Sequence, residues 1–518
     1  MGTYGQSCRS QERRESLTPE SRLGQRVFNW VPVILHFNHL SRGKSVKSLD
    51  ELTGLIAGSL TTLAESGAID QRLLRTLRVH LDWIHYKTNF RDPVMVRRTT
   101  MPTGEPGPLA EIAIDLRQAD PAGLRQQLAH ALSQAHASGP DDDGVYLDQF
   151  VPWRNSIIWK FNKLFWQWLP EWEAASGRGF EAALPSGASD ANHPQAIADS
   201  VCEFFRLLKD LDQRDQLPAE IAALEIGGGS GMRAKAWLDG FKSLDEHSGT
   251  AYYQRLKFFL GDYSPATLER AVKATSAHSD KVHGVLMDAL NPLQGLPAMR
   301  FKILYVHLTN VYDNLPFDEL VRRDGRHYIV ETRGYIPAHA VASLHAAFGV
   351  PRDEIAPIVE RMFVEGPSGA GMGERSVAFW RQLWGSFRLQ ERLRLLDEVE
   401  AGHVPPGLTR LHIDDLLAEA PDDIRFHVSR GAGESFANTL PLLHPRGYLQ
   451  VQDIFVSSMD EYRQAFKGPG KLDGSLVVWV NGALLRVVGA RAGYDVHFAP
   501  FLYRAGSKTN ILYTTQRP

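Results

Sequence analysis

The stretch Leu224-Glu225-Ile226-Gly227-Gly228-Gly229-Ser230-Gly231 constrains this chain more than any other. The apolar run Ile221 to Ile226 leads into it and reads as a buried strand, and from Met232 to Leu244 the apolar spacing turns helical. Between them Gly227, Gly229 and Gly231 recur at every second position. Glycine reaches positive φ and leaves no Cβ in a ligand's way. Strand, loop and helix together are therefore expected to present backbone N–H groups and a helix N-terminus to an anionic group. Glu225, just before the loop, is placed to receive a cation or a hydroxyl. A purely structural glycine turn is the alternative at this stage.

Two ligand classes suit such a loop. The dinucleotide fingerprint asks for Gly-x-Gly-x-x-Gly; Gly227 and Gly229 fit it, but the third position is Met232. The spacing Glu225-x-Gly227-x-Gly229-x-Gly231 resembles instead the first motif of class I S-adenosylmethionine-dependent methyltransferases.

At 518 residues the chain has room for two to four domains. A formal net charge of −3 with no long run of one sign argues against a nucleic-acid partner. Cys8 and Cys202 lie too far apart in sequence for a disulfide framework or a zinc set, so a reducing cytoplasm is expected and no metal. The polar N-terminus lacks the apolar core of a signal peptide, and no apolar stretch is long enough for a bilayer. No membrane partner is expected; a homo-oligomer is compatible with the composition.

Residues 1–27 read as a disordered tail. Residues 28–140 read as a small α+β domain: a strand from Phe28 to Phe37, helical periodicity from Leu49 to His85, a strand from Ala110 to Leu116, an alanine-rich helix from Ala122 to Ala137, and a turn-forming linker at Pro140 to Gly144. Residues 150–215 carry an aromatic helix, Trp153 to Trp172, and an amphipathic one, Ala196 to Leu211. An all-round aromatic helix is either buried between domains or a lid over a ligand. From 216 to 518 strands and helices alternate, which implies a mainly parallel sheet covered on both faces. Strands are expected at Leu256–Leu260, Val282–Met287, Phe301–Leu308 and Gly447–Phe455, a helix at Leu476–Ala492, and a terminal hairpin at Tyr494–Phe501 and Asn510–Thr515. Residues 335–445 interrupt the rhythm as a helical insertion with a glycine-rich loop, Gly366 to Gly373, expected to be mobile and, with the aromatic helix, to wall the acceptor pocket.

Ligands of open α/β sheets bind at the carboxyl ends of the strands, and the acidic residues singled out sit there. Asp262 ends the second strand, where a carboxylate accepts both hydroxyls of a ribose; Tyr263 can pack on an adenine face. Asp288 and the backbone of Ala289 follow the third strand and suit the adenine edge. Singly, each acid is as well explained as a helix cap. Together, Glu225-x-Gly227-x-Gly229-x-Gly231, then Gly261-Asp262-Tyr263-Ser264-Pro265, then Asp288-Ala289, resemble successive cofactor motifs of the class I methyltransferases. The resemblance covers roughly residues 196–330 and 445–518. It implies a Rossmann-like fold with a seven-stranded, mainly parallel sheet and an antiparallel C-terminal hairpin, and S-adenosylmethionine as cofactor. Tyr312-Asp313-Asn314-Leu315-Pro316, with Ser264-Pro265 and Tyr328-Ile329-Val330-Glu331, is similar to the MidA-like group, which implies methylation of a protein arginine; Thr309-Asn310 stands where that group has Asn-Glu. The acceptor stays open between a protein side chain and a small molecule. Asp313, with Tyr312 and His307 behind it, is the expected base beyond the fourth strand, the alternatives being that Asp313 caps a helix near Pro316 and that His307 is a satisfied core histidine. A non-catalytic cofactor-binding assembly protein and a nucleotide-dependent oxidoreductase are the other function classes this pattern admits.

Overall fold

The computed structural model describes residues 33–38, 40–41, 44–45, 48–69, 77–80, 90, 94–100, 106–116, 120–136, 144–184, 187–396, 410–418, 424–464 and 468–517. The expected tail 1–27, Cys8, the beginning of the strand at 28–37 and most of the linker at 140–144 lie outside the described residues.

The site is framed by strands β1 (Ile221–Ile226), β2 (Leu256–Asp262), β3 (Val282–Leu286), β4 (Ile303–Thr309), β5 (Leu443–Asp453), β6 (Tyr494–Pro500) and β7 (Asn510–Gln516). Around them stand helices α1 (Ile158–Gln167), α2 (Pro194–Gln213), α3 (Met232–Ser248) and α4 (Pro265–Ala274). The strand order is 3-2-1-4-5-7-6. Strands β3, β2, β1, β4 and β5 run parallel, and β7 is antiparallel to both β5 and β6. This is a Rossmann-like α/β sheet, and within the terminal hairpin only β7 opposes the other strands.

Every residue of β1 is buried, as a central strand covered on both faces requires. Its period of two splits it between two cores. Ala222, Leu224 and Ile226 join Phe436 and Leu484 on one face. Ile221 and Ala223 join Phe204, Trp237 and Phe241 of α2 and α3 on the other. Glu225 is forced by the same alternation onto the α3 face, where a buried carboxylate needs a partner.

A second sheet corrects the domain picture. Its strands follow the order Ile424–Val428, Asp318–Arg323, Arg326–Pro337, Arg388–Leu395, Val94–Thr100, Pro106–Asp115, Val33–Asn38, Arg78–His80. The N-terminal α+β unit and the insertion thus share one sheet, joined where Leu393 and Arg394 pair in parallel with Thr99 and Thr100. Buried Glu111 adds a crossing, forming an ion pair with Arg323 at 2.6 Å and accepting from Arg425 at 3.0 Å. The insertion is not purely helical: Arg388–Leu395 alternates arginine and leucine, with Leu389, Glu391 and Leu393 buried. Its charged positions imitate a helix surface unless the period of two is counted.

Three other expectations change. The N-terminal helix stops at Glu65 rather than reaching His85. The helix expected at 476–492 begins only at Gly482, behind the cap Asn481, because Ser475–Val477 pairs as a strand with Gly470–Leu472. The expected loop at Gly366–Gly373 begins as a packed 3₁₀ turn, Gly366–Ala370, and runs into an exposed one, Gly373–Arg375. A Cβ on Gly366 would stand 2.2 Å from the Trp168 ring, and one on Gly369 2.6 Å from the Arg361 carbonyl.

Candidate functional site

A cavity of about 1230 Å³ opens over the carboxyl ends of β1, β2, β3 and β4. Of the residues singled out from sequence, Glu225, Gly227, Gly229, Asp262, Tyr263, Asp288 and Ala289 line it. Gly231, Tyr312, Asp313 and His307 do not. The aromatic helix also lines it, through Trp159, Asn162, Lys163 and Trp166 of α1, whereas none of the described residues of 335–445 does. Of the two segments expected to wall a pocket, the aromatic helix lines this cavity, while the described residues of the insertion pack on the second sheet and, through Phe436, behind β1.

The glycine loop works by close approach more than by offering N–H groups. The N–H groups of Gly227 and Gly228 both donate to the Gly261 carbonyl, at 2.8 and 3.2 Å. That of Gly229 acts on the Asp262 carboxylate, favouring its charged form. A Cβ on Gly227 would lie 2.6 Å from Val311 Cγ2 and one on Gly228 2.6 Å from Leu260 Cδ1, so the loop is pressed between the ends of β2 and β4. Gly231, at φ +76°, lets α3 start against α4: a Cβ there would stand 2.7 Å from the Ala271 backbone.

Asp262 is buried yet faces the cavity. Its Oδ1 accepts the Ser264 N–H at 2.9 Å, while Ser264 Oγ caps α4 by accepting from Thr267. Burial raises the Asp262 carboxyl above its ordinary range, against the pull of the N–H groups of Ser264, Gly229 and Tyr263. Asp288 accepts the Leu290 N–H at 2.9 Å. Tyr263 stands half out of the surface, its hydroxyl donating to the Lys163 carbonyl of α1 at 3.4 Å.

Glu225 has a partner that sequence reading missed. Arg233, the second residue of the helix that follows the loop, donates to Glu225 Oε2 at 2.7 Å and to the Tyr305 hydroxyl at 2.8 Å, all three buried. Burial pushes the Glu225 carboxyl up, with Arg233 pulling against it. Glu225 is thus committed to an internal ion pair. The polar chain continues: the Tyr305 hydroxyl and His307 Nδ1 both meet Gln450 Oε1, at 3.1 and 3.0 Å. His307 Nε2 meets the hydroxyl of Thr309, a cavity residue, at 2.7 Å. Burial and the Arg233 charge hold the His307 imidazole well below its ordinary range and so neutral. The only sequence signal for this chain is the i, i+2 spacing of Tyr305, His307 and Thr309, which strand geometry puts on one face.

The expected base is not at the site. After β4 the backbone makes a 3₁₀ turn, Tyr312–Asn314, which leaves Asn310, Val311 and Asn314 lining the cavity and turns Tyr312 and Asp313 into the interior. The N–H groups of Tyr312 and Asp313 donate to Asp453 Oδ2 at 2.9 and 3.2 Å. Asp313 Oδ1 accepts the Asn314 amide at 2.8 Å. Nor is Asp313 a helix cap, since Asp318–Arg323 is a strand. Asp453, at the end of β5, also takes the Ile454 N–H at 2.7 Å; burial pushes its carboxyl up to about 7 in spite of these donors.

Among the described residues no cluster has the makings of a metal site, and no helix is long and apolar enough to cross a membrane. No protein-family model and no curated protein matches the chain. Similar solved structures include an uncharacterised superfamily protein from Burkholderia thailandensis, 13% identical with a TM-score of 0.41 over 71% of this chain and 87% of that one. A likely methyl transferase from the same organism, bound to S-adenosyl-homocysteine, is 13% identical with a TM-score of 0.40 over 71% and 88%. The trans-methyltransferase CalH, in complex with SAH, is 14% identical with a TM-score of 0.29 over 70% and 69%.

Proposed function

We propose that this chain is an S-adenosylmethionine-dependent methyltransferase whose acceptor is an oxygen or nitrogen of a protein side chain or a small molecule. One observation carries the reading: Asp262 and Asp288, at the ends of adjacent strands, line a single cavity with the tightly packed Gly227–Gly229 loop, in a sheet ordered 3-2-1-4-5-7-6. The residues fit the cofactor. Asp262 is a buried acceptor raised in pKa because its N–H donors do not offset desolvation, and ribose hydroxyls would add the missing donors. Asp288 and Ala289 would hold the adenine edge, with Tyr263 against its face. When bound, the cofactor supplies an electrophilic methyl group on a sulfonium.

The chain's own contribution is position. With Tyr312 and Asp313 outside the cavity, no carboxylate lines it at the end of β4 among the described residues. Orientation alone can supply roughly 7–11 kcal/mol of such a barrier. Thr309, its hydroxyl bonded to His307, Asn310, and Asn314, bonded to Trp166, are the polar lining residues at that end. Titration calorimetry with S-adenosylhomocysteine and with NAD tests the reading. Binding of the first and not of the second is expected; the reverse would sink it in favour of an oxidoreductase.

A further inference from the structure

Resting on the methyltransferase reading, we infer that the half of the cavity under α1 is an aromatic slot for a planar, uncharged or anionic ring compound, and that it does not take a guanidinium or ammonium group. The cavity's volume of about 1230 Å³ exceeds the roughly 300–1,000 Å³ that houses one drug-sized ligand, so a second molecule fits beside the first.

The slot's chemistry follows from where its polar atoms are spent. Trp159 and Trp166 both line the cavity. The indole N–H of Trp159 donates to the Trp153 carbonyl at 2.7 Å, and that of Trp166 to Asn314 Oδ1 at 2.9 Å. With their donors committed to the protein, the rings give the cavity carbon surface. Phe180, also a lining residue, stands edge-on to Trp166 with centroids 4.9 Å apart, and Leu184 and Leu315 extend the apolar wall. The Asn314 bond ties this wall to the turn after β4, next to the strand ends.

The acidic groups of the cavity are already engaged. Glu173 accepts from Arg270 at 3.3 Å and from the Phe180 N–H at 2.8 Å. Glu181 accepts from Asn192 at 2.6 Å and from the Ser189 N–H at 3.5 Å. Glu225 is held by Arg233, and Asp262 and Asp288 belong to the cofactor side. A cationic acceptor would enter without a carboxylate of its own, and a desolvated, unpaired cation costs more than the ~0.5–2 kcal/mol that an aromatic face returns. Exposed Lys163 at the rim adds positive charge, which suits an anionic substituent and opposes a cation.

The test uses the full-length protein saturated with S-adenosylhomocysteine, with 2-naphthol and the tripeptide Gly-Arg-Gly as probes, read by tryptophan fluorescence and calorimetry. Saturable binding of 2-naphthol, none of the peptide, and a loss of tenfold or more in naphthol affinity for Trp166→Ala and Trp159→Ala are expected. Trp166→Phe, which keeps a ring, should retain most of the affinity. Peptide binding without naphthol binding, or alanine variants that bind naphthol as the native protein does, would overturn the slot. Naphthol binding in a protein that does not bind S-adenosylhomocysteine would support the slot while removing the cofactor reading.

Discussion

The floor and the roof of the cavity are built on opposite principles. The floor is made by residues within a few positions of strand ends: the Gly227–Gly229 loop, Asp262, Asp288 and Ala289. Its polar groups are aimed by local geometry, as when Asp262 accepts from Ser264 and Asp288 from Leu290, two residues on in each case. The roof is made by α1, which reaches the floor through long-range bonds, Trp166 and Asn162 to Asn314 and Tyr263 to Lys163. Its indole N–H groups are committed to the protein, leaving carbon toward the cavity. A ligand's charged and hydroxylated parts are served by the first kind of wall, and its flat apolar parts by the second. The floor can therefore be written in short motifs, whereas the roof depends on a tertiary fit that a motif does not encode.

Perturbing the floor's supports should have the largest effects. Asp453 holds the turn beneath the end of β4, and its folded-state pKa of about 7 lies above the ~3.9 of an unfolded aspartate. The native state therefore keeps the proton longer, and the stability tied to this group is present below pH 4 and lost as pH rises to about 7, by up to roughly 4 kcal/mol. Urea melts across that window should show the decline, and Asp453→Asn should flatten it. Gly231→Ala, with φ +76° and a backbone 2.7 Å away, should cost about 3 kcal/mol by chemical denaturation. Asp262→Ala should weaken S-adenosylhomocysteine by about 1–3 kcal/mol in calorimetry.

The roof should respond separately. Trp166→Phe gives up the bond to Asn314 and should lower stability by about 1 kcal/mol, while cofactor affinity stays as in the native protein because the sites are independent. A change in cofactor affinity as large as that of Asp262→Ala would dissolve the distinction between floor and roof. Smallest of all should be Asp313→Asn, whose side chain points away from the cavity. Its methyl-transfer rate, followed by S-adenosylhomocysteine release, should match the native protein's, and a large loss would return Asp313 to the chemistry.

Much of the seven-stranded sheet was legible because its strands are apolar runs ending in glycine or acid, a pattern that central parallel strands impose. The floor was legible for the same reason, but only as positions. That Glu225 is consumed by Arg233 depends on helical spacing after a loop whose conformation no residue pattern fixes. Asp313 was misplaced because a 3₁₀ turn of three residues decides which side chains face the cavity, and Tyr312-Asp313-Asn314 gives no periodicity to say which. The shared second sheet was hidden because the strands that join it, Val94–Thr100 and Arg388–Leu395, are remote in sequence and each resembles a surface segment.

That seam has a consequence for how the chain comes off the ribosome. Val94–Thr100 is synthesised long before Arg388–Leu395, its neighbour in the sheet. Domains tend to fold as units in order of synthesis, so the N-terminal unit would wait with an unsatisfied strand edge, a template for aggregation. Both waiting edges carry arginines, Arg97 and Arg98 on one and Arg388, Arg392 and Arg394 on the other, and like charges set side by side repel. Each edge is thereby discouraged from pairing with a copy of itself, although Glu331 on the strand Arg326–Pro337 binds Arg392 and Arg394. A chain shortened to begin after residue 140 would keep every lining residue of the cavity and still expose Arg388–Leu395 along the side that Val94–Thr100 now covers.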